Sequence, residues 1–547
     1  MRKIFDRELR EPSVAEVERG RCPEADEPGH RPGSALATAE VVKSAPRVFF
    51  ARVDSAVRRR CRAAWRSFVP SLDATSISAA IDWLSAYRHH AGLASAPGEA
   101  ICPLLTAAAV PTLLSFGEVD LARRFTDWLR TIQRIDGSFP SLGCGRRSLL
   151  GTAHALSALL SCTAANLNET LAAERAAAWL ASQIDAAGRF QPSGYPSTSI
   201  DHWAAPAIHV ACLPPLRQAS RALGVPAWEQ AVVRAAKHLR RSLDWAGLRH
   251  AAHVCVACAD AWLQLGKAEL AHEIMRGLAA GHHRDPRAPS ISGAALAHAA
   301  LVWYKLAERR QADRALARLQ SNQLPSGGFP ASDQRGSARR ESAWAWKYFL
   351  DASLARVQTS FEQYDTHLPD RIDPADGRFR AVRAWCGSLG DGPKIADVGC
   401  GSGRFLRELA RCFPAARWIA IDPSQVALSR CVEATERRPG GLLRIPAGDG
   451  EFDGAMAVES LEHSLLPERA IRELCRVVRP GGRVLVIDKH LAKQRLSQHE
   501  PWEQWFLPET VSAWLAKQCR NVVARPIAHG TARRPDGLFW CWEATRG

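Results

Sequence analysis

A glycine-rich segment, KIADVGCGSGRFLRELA (394–410), holds the residue types best suited to close contact with a ligand. Its apolar residues predict a buried strand before the glycines and an amphipathic helix after them. Gly399, Gly401 and Gly403 lack a β-carbon, so the backbone can turn sharply and approach a ligand closely. The following helix directs unpaired N–H groups at the same place. The segment therefore predicts a strand, a binding loop and a helix.

Two carboxylates accompany this loop. Asp397 lies in the first predicted strand, and Asp422 ends the next one, RWIAID. A carboxylate at a strand end can accept two hydrogen bonds from the hydroxyls of a ribose. The glycine spacing is GxGxG, whereas dinucleotide-binding proteins have GxGxxG. Arg404 stands where the dinucleotide motif has glycine. The pattern predicts ribose binding and departs from the dinucleotide motif.

A histidine follows the fourth predicted strand. The segment EFDGAMAVESLEH (451–463) predicts that strand and its exit loop, in which His463 lies. An ordinary histidine pKa of about 6.5 suits a general base for a hydroxyl group. A capping or loop role is the alternative. Trp502, Trp505 and Phe506 form an aromatic patch that either walls an acceptor site or only packs.

The ordered set of DVGCGSG, Asp422, FDGAMAV and RPGG closely resembles the class I S-adenosylmethionine-dependent methyltransferases, over residues 391–547. The resemblance implies S-adenosylmethionine as the cofactor. It places Asp397 and the loop 399–403 at the methionine end of that cofactor, and Asp422 at its ribose diol.

The adenine end departs from the family pattern. The resemblance implies Ile421 and Pro423 beside the adenine. Gly441 or Leu442, however, stands where family members usually carry an acidic or amide residue that contacts the adenine amine. We expect either a loss of about 0.5–1.5 kcal/mol in binding or a replacement contact from Asp449.

The region before this segment repeats one helical plan. Three stretches, 127–139, 178–190 and 315–329, each predict an amphipathic helix ending near a glutamine, then a turn with Asp or Ser plus Gly, then a phenylalanine. The glycine supplies the left-handed conformation that ends the helix. Helices that are apolar nearly all round, such as 149–162 and 291–306, must be covered on both sides. Alternating outer and inner helices predict a solenoid or a closed toroid.

These repeats resemble the α/α toroids of terpene cyclases and of protein prenyltransferase β-subunits. The DxDD cluster with which such cyclases protonate an alkene does not occur in the sequence. HVCVACAD offers His253, Cys255, Cys258 and Asp260 as zinc ligands, but one isolated cysteine pair in an apolar helix is typical of packing. We therefore predict no metal site, and a toroid that binds or presents an acceptor.

Composition and patterning divide the 547 residues into four segments. Residues 1–45, rich in Pro, Gly, Arg and Glu, predict a disordered tail. Residues 46–355 predict the toroid, 356–390 a linker and leading helix, and 391–547 the methyltransferase domain. The expected fold class is multidomain, with an all-α toroid followed by an α/β Rossmann-like domain.

The formal net charge is +16, with 72 Lys and Arg against 56 Asp and Glu. Only ten of the 72 basic residues are lysines, and this excess of arginine is typical of a GC-rich bacterial genome. Most arginines stand singly, so nucleic acid is not an expected partner. One basic amphipathic cluster, residues 52–68, predicts either packing on the next domain or peripheral contact with an anionic membrane. The start of the sequence lacks an apolar signal core, and the 15 cysteines form no disulfide framework. We expect a cytoplasmic protein.

Together these features predict an S-adenosylmethionine-dependent methyltransferase whose toroid binds or presents a small-molecule, lipid-linked or glycan acceptor. Two alternatives stay open: a bifunctional terpenoid cyclase–methyltransferase, and a non-catalytic scaffold with a degenerate cofactor site. The sequence leaves the methylated atom and the oligomeric state undetermined.

Overall fold

The structure is a computed structural model. It describes residues 74–87, 92–94, 100–140, 146–162, 167–191, 201–242, 251–284, 291–331, 341–364, 370–431, 435–496 and 502–547. All of these belong to one compact unit that begins at Val69. The predicted tail 1–45 and the basic cluster 52–68 lie outside the described residues.

The N-terminal part of the described chain is helical. Its helices are α1 Ala74–Tyr87, α2 Pro103–Ser115, α3 Val119–Ile132, α4 Leu149–Cys162, α5 Leu167–Ser182, α6 Asp201–Leu223, α7 Pro226–Ser242, α8 Ala252–Gln264, α9 Ala268–Arg284, α10 Gly293–Lys305, α11 Arg309–Gln320 and α12 Ala343–Tyr364. A two-residue hairpin, β1 Phe139–Pro140 with β2 Arg147–Ser148, interrupts them.

The helices pack as an inner and an outer set. The even-numbered helices, from α2 to α12, contact one another in order, and α12 contacts α2, so this inner series closes on itself. Each outer helix packs on an inner one: α3 on α2, α5 on α4, α7 on α6, α9 on α8, α11 on α10 and α1 on α12. The inner helices α2, α4 and α10 are apolar on nearly every side, because they are covered from both directions.

The three repeated turns each place a glycine against a neighbouring helix. Gly137, Gly188 and Gly327 all have left-handed backbones, with φ of 90°, 81° and 89°. A β-carbon on any of them would lie only 2.1–2.3 Å from a backbone carbonyl oxygen of α5, α7 or α1, respectively. Glycine is therefore required at these turns both by backbone conformation and by contact distance.

Two repeat glutamines tie one outer helix to the next. The Gln133 side-chain amide donates to the Ala172 carbonyl in α5 at 2.9 Å. The Gln323 amide donates to the Ser76 carbonyl in α1, also at 2.9 Å. The second bond joins the last repeat to the first helix of the described chain. It closes the outer series at the same place where α12 and α2 close the inner one.

Helix α12 continues beyond the predicted boundary at residue 355. It reaches Tyr364, so the first part of the predicted linker 356–390 is helical. Val357 and Phe361 extend its apolar face by one more turn, and both pack on the surrounding core. Within the same predicted segment, α13 (Gly377–Cys386) forms the leading helix of the next region.

The C-terminal part is a seven-stranded sheet with covering helices. Its elements are β3 Lys394–Val398, α14 Arg404–Cys412, β4 Arg417–Asp422, α15 Gln425–Ser429, β5 Glu436–Pro439, β6 Phe452–Val458, α16 Pro467–Arg476, β7 Val478–Lys489, α17 Pro508–Ala516, β8 Cys519–Ile527 and β9 Phe539–Arg546. The strand order is β5-β4-β3-β6-β7-β9-β8. The first five strands in this order run parallel, and β9 runs antiparallel to both of its neighbours, β7 and β8. This Rossmann-like arrangement confirms the fold expected of the C-terminal part.

One apolar core joins the helical part to the sheet. A continuous cluster of buried side chains runs from the helices to one face of the sheet, and a second cluster fills the other face under α13 and α14. Parallel strands present their carboxyl ends at one edge, where ligands bind in sheets of this type. Among the described helices, none combines the length and the apolar character needed to cross a membrane.

Candidate cofactor and acceptor site

The glycine loop connects β3 to α14 through three left-handed residues. Gly399, Gly401 and Gly403 have φ of 82°, 56° and 76°. A β-carbon on Gly399 would lie 2.4 Å from the Ser460 β-carbon, so this glycine permits close packing of the loop against the end of β6. A β-carbon on Gly401 would have no described atom within 4 Å, because this residue faces open space. The loop is thus packed on one side and open on the other.

Asp422 holds the loop in this shape. Its carboxylate accepts hydrogen bonds from the Gly401 N–H at 2.9 Å and the Ser424 N–H at 2.8 Å. The side chain was expected at the end of the second strand and lies there, buried but lining the same cavity as the loop. Asp422 therefore has a structural bond to the loop in addition to the ribose contact implied by the resemblance.

Asp397 is a buried carboxylate beside the loop. Burial, reinforced by the nearby charge of Asp422, raises its pKa to about 7 against the opposing effect of Arg404. Among the described residues none donates a hydrogen bond to it, although it lines the cavity. A buried acid of this kind would be stabilised in its charged form by a cationic ligand group. An amino group, such as that of a methionine moiety, fits this requirement.

The cavity has a volume of about 1990 Å³ and extends along the carboxyl ends of the strands. The features of this cavity fit S-adenosylmethionine. The glycines allow the cofactor to approach the backbone closely, and the two acids suit its amino group and its ribose diol. At the adenine end, Pro423, Gly441 and Leu442 line the cavity, whereas Ile421 is fully buried in the sheet. Asp449, suggested as a replacement contact, forms an ion pair with Arg476 at 2.7 Å.

His463 also lines the cavity and follows β6. Its ring makes an edge contact with Phe361 of α12, at 4.7 Å between centroids. Burial, together with the positive charge of Lys489, lowers its pKa to about 3. The imidazole therefore stays neutral at neutral pH and is a weaker base than the ordinary histidine assumed from the sequence. Its assignment as the catalytic base stays a prediction.

A second group of charges near His463 was missed by sequence reasoning. The Lys489 amino group lies 2.8 Å from one Glu462 carboxylate oxygen and 3.5 Å from Glu503. The other Glu462 oxygen has no hydrogen-bond partner among the described residues. Burial, reinforced by Asp488, raises the pKa of Glu462 well above its ordinary value. The signal in the sequence was the charged pair Asp488–Lys489 directly after an apolar strand.

Potential metal ligands occur here as well. Glu462, His463 and Glu503 offer ligand atoms within 4.8 Å of one another, although a lysine amino group already provides positive charge beside the two carboxylates. Of the candidate zinc ligands in HVCVACAD, Asp260 bonds instead to His298, at 3.1 Å.

The helical part supplies the remaining wall of the cavity. Leu354, Val357, Gln358 and Phe361 lie on one face of α12, three and four residues apart, and all four line the cavity. The turn between α2 and α3, residues 115–120, lines it from a second direction. The same cavity therefore has both cofactor-motif residues and helical-part residues in its wall.

Comparison with known proteins finds one family model and several similar proteins. The family model described as a methyltransferase domain matches residues 396–486. The O-methyltransferase cnsE of Penicillium expansum is 36% identical over 110 residues, covering 18% of this chain and 40% of that protein. The O-methyltransferase rstn1 of Aspergillus nomiae is 31% identical over 168 residues, covering 26% of this chain and 75% of that protein. The chain thus spans less than half of the first relative and three quarters of the second.

A solved structure shows the same likeness. The N-methyltransferase NodS from Bradyrhizobium japonicum, in complex with S-adenosyl-L-homocysteine, is 19% identical. The likeness covers 35% of this chain and 98% of that one, with a TM-score of 0.28. The family match begins inside β3, before the glycine loop, and ends inside β7, so it includes Asp397, the loop, Asp422 and His463. Through its C-terminal part, this chain belongs to the S-adenosylmethionine-dependent methyltransferases.

Proposed function

We propose that the protein is an O-methyltransferase for a small-molecule, lipid-linked or glycan acceptor that the helical part binds or presents. The observation that carries this proposal is the shared cavity. Its wall combines Asp397 and Asp422 with the apolar face of α12 and the turn after α2. An acceptor in this space would contact both parts of the chain. The two fungal relatives, each named an O-methyltransferase, support oxygen as the methylated atom.

We propose Glu462 as the group that takes the proton of an acceptor hydroxyl. One of its oxygens lacks a partner among the described residues, and its raised pKa makes it a stronger base, once ionised, than an exposed carboxylate. Lys489 holds the other oxygen and orients the group. S-adenosylmethionine, when bound, supplies the methyl group on its sulfonium. Neutral His463 stays available to hydrogen-bond and align the acceptor.

We further propose that the helical part is an α/α toroid. The closed series of contacts among the inner helices supports this, and so do the repeat glutamine bonds between outer helices. Contact of α12 with His463 would then bring an acceptor held by the toroid to the methyl donor.

The test is to incubate the full-length protein and S-adenosylmethionine carrying a labelled methyl group with cell extract, and to identify labelled products by mass spectrometry. The Asp397→Asn variant serves as the control that should bind the cofactor poorly. We expect a labelled small or lipid-linked product with the unaltered protein alone. A product made from squalene or a polyprenyl diphosphate without the cofactor would instead establish the bifunctional cyclase. No labelled product from any extract would contradict the proposed function.

A further inference from the structure

The loop at the adenine end of the cofactor site has apolar residues in place of the expected polar contact. The loop after β5 carries Gly441 and Leu442 where related methyltransferases have a polar contact, and Asp449 is engaged by Arg476. Leu442 and Leu443 are nevertheless buried. Some other part of the molecule must cover these two apolar side chains.

The turn between α2 and α3 contacts this loop, and Phe116 of the turn belongs to the same cluster of buried side chains as Leu442 and Leu443. Gly117 in that turn has φ of 76°, and a β-carbon on it would lie 2.7 Å from the Leu443 carbonyl oxygen. The backbone of the helical part thus rests directly on the loop after β5. Among the described residues, the two atoms that such a β-carbon would meet within 4 Å both belong to Leu443. The contact is therefore specific to this loop.

Two further polar contacts join the helical part to the methyltransferase part beside this turn and this loop. Glu118, the next residue of the turn, forms an ion pair with Arg469 at the start of α16. Arg444, the next residue of the loop, donates a hydrogen bond to the Ser161 carbonyl near the end of α4, at 3.4 Å. Each of these bonds joins the helical part to the methyltransferase part. Residues 115–120, Pro423 and Gly441 all line one cavity.

We propose that the α2–α3 turn is a wall of the cofactor site that covers its adenine end, so that the helical part raises cofactor affinity. The inference rests on the proposed function, in which the cofactor occupies this cavity. The turn contacts the loop through Gly117, is held to α16 through Glu118, and keeps water from the adenine face. Exclusion of water strengthens the remaining contacts and partly offsets the polar contact that this loop lacks. The helical part therefore acts on the cofactor as well as on the acceptor.

The chain contains a matched control for testing Gly117. Gly266 lies in the turn between α8 and α9, which has the same inner-to-outer position in the helical part. Its φ is 72°, nearly that of Gly117, but a β-carbon on it would have no described atom within 4 Å. Gly117→Ala and Gly266→Ala therefore impose the same left-handed strain, and only the first pushes against the loop after β5.

The experiment is calorimetric titration of the full-length variants with S-adenosyl-L-homocysteine. We expect Gly117→Ala to raise Kd about five- to tenfold, equivalent to about 1–1.4 kcal/mol, and Gly266→Ala to leave Kd unchanged. Thermal melts should show a loss of stability in both variants, larger in Gly117→Ala because its added β-carbon also meets the Leu443 carbonyl oxygen. Equal and unaltered Kd values in the two folded variants would overturn the inference.

A second pair of variants keeps the inference testable if Gly117→Ala does not fold. Glu118→Gln and Arg469→Gln each remove one partner of the ion pair, and the double variant removes both. If the turn covers the adenine end, each single change raises Kd, and the double change raises it no more than the larger single effect. Additive or absent effects would overturn the inference. Unaltered protein that binds the cofactor product but methylates nothing would contradict only the proposed function.

Discussion

Ionisation of Asp397 should lower the stability of the protein and raise its affinity for the cofactor. Its folded-state pKa of about 7 lies above the unfolded value near 3.8, so the folded state binds more protons between these two pH values. The free energy of unfolding therefore falls as pH rises from about 4 to 7 and stays reduced above that. A cationic ligand group would favour the charged carboxylate, so cofactor affinity should rise over the same interval.

We predict that Asp397→Asn makes the protein more stable at pH 8 but weakens cofactor binding. The gain in the free energy of unfolding should be on the order of 1–3 kcal/mol at pH 8 and close to zero at pH 4. Urea unfolding at the two pH values measures the first effect, and titration with S-adenosyl-L-homocysteine measures the second. A variant that is no more stable at pH 8 would show that Asp397 is not held in a disfavoured charged state.

We predict that Asp422→Ala lowers cofactor affinity more than Asp422→Asn does. The alanine variant loses both the expected ribose contact and the bond that the carboxylate accepts from Gly401, at a cost of about 1.5–3 kcal/mol. The asparagine oxygen can still accept one of these bonds. Calorimetric titration of the two variants measures the difference. Equal affinity in Asp422→Ala and the unaltered protein would remove Asp422 from the site.

We predict that Glu462→Gln lowers the methylation rate by about 10²-fold or more, because it removes the proposed base. His463→Asn should have a smaller effect, since the imidazole is already a weak base. The rate of the unaltered protein should rise with pH as Glu462 ionises. Single-turnover rates across pH 6–9 provide the measurement. A larger loss in His463→Asn than in Glu462→Gln would return the base to His463.

At the scale of elements, helix α12 of the helical part reaches into the cavity that the glycine loop also lines. Its cavity-lining face begins at Leu354 and ends at Phe361, where it meets His463. Sequence patterning placed a domain boundary inside this helix, because polar residues between the apolar positions interrupt the local pattern. The spacing of Val357 and Phe361 can be recognised as a continuation of the helix only when the side chains that they pack against are known.

We predict that Phe361→Ala raises KM for the acceptor while leaving the Kd for S-adenosyl-L-homocysteine unchanged. The side chain lines the cavity and contacts the ring of His463, where we propose that the acceptor binds. Steady-state kinetics with the identified acceptor and calorimetry with the cofactor product separate the two effects. A weakened cofactor Kd with unchanged KM would show that α12 does not form an acceptor wall.

Features that depend on contacts close in sequence could be predicted, whereas features that depend on contacts between distant segments could not. The strand, loop and helix over 394–412 follow local patterns of apolar and glycine residues, and the structure has them there. The group formed by Glu462, Lys489 and Glu503 could not be predicted in this way, because its members come from three segments that the sheet register brings together. The same applies to the contact of Gly117 with Leu443.

For the whole molecule, stability depends on contacts between distant parts of the chain. The cluster that joins the helices to one face of the sheet makes the two parts a single core. A fragment limited to residues 391–547 would lose α13 and expose the apolar side chains of the loop after β5. Sequence periodicity could indicate the separate parts, but it could not indicate which of their apolar faces are shared.

We predict that Gln323→Ala lowers the free energy of unfolding by about 1–2 kcal/mol, whereas Gln183→Ala has little effect. The Gln323 amide bonds to α1 and to the glycine of its own turn. The Gln183 amide bonds only to the adjacent Ser182 hydroxyl among the described residues. The Gln323 bonds are part-buried and one of them joins distant segments, so losing them costs more than losing a local exposed bond. Urea unfolding of the two variants gives the comparison, and equal losses would exclude a role in joining the helices.

The bond between Gln323 and Ser76 also sets an order of events during synthesis. Its partners are 247 residues apart, so α1 leaves the ribosome long before the segment that will hold it. At a synthesis rate of about 5–20 residues per second, α1 waits on the order of 12–50 seconds for this partner. During that time its buried side chains, Trp83 among them, have no permanent neighbour and are open to chaperones. Slowing translation after residue 100 should therefore lower the yield of folded protein more than slowing it after residue 400.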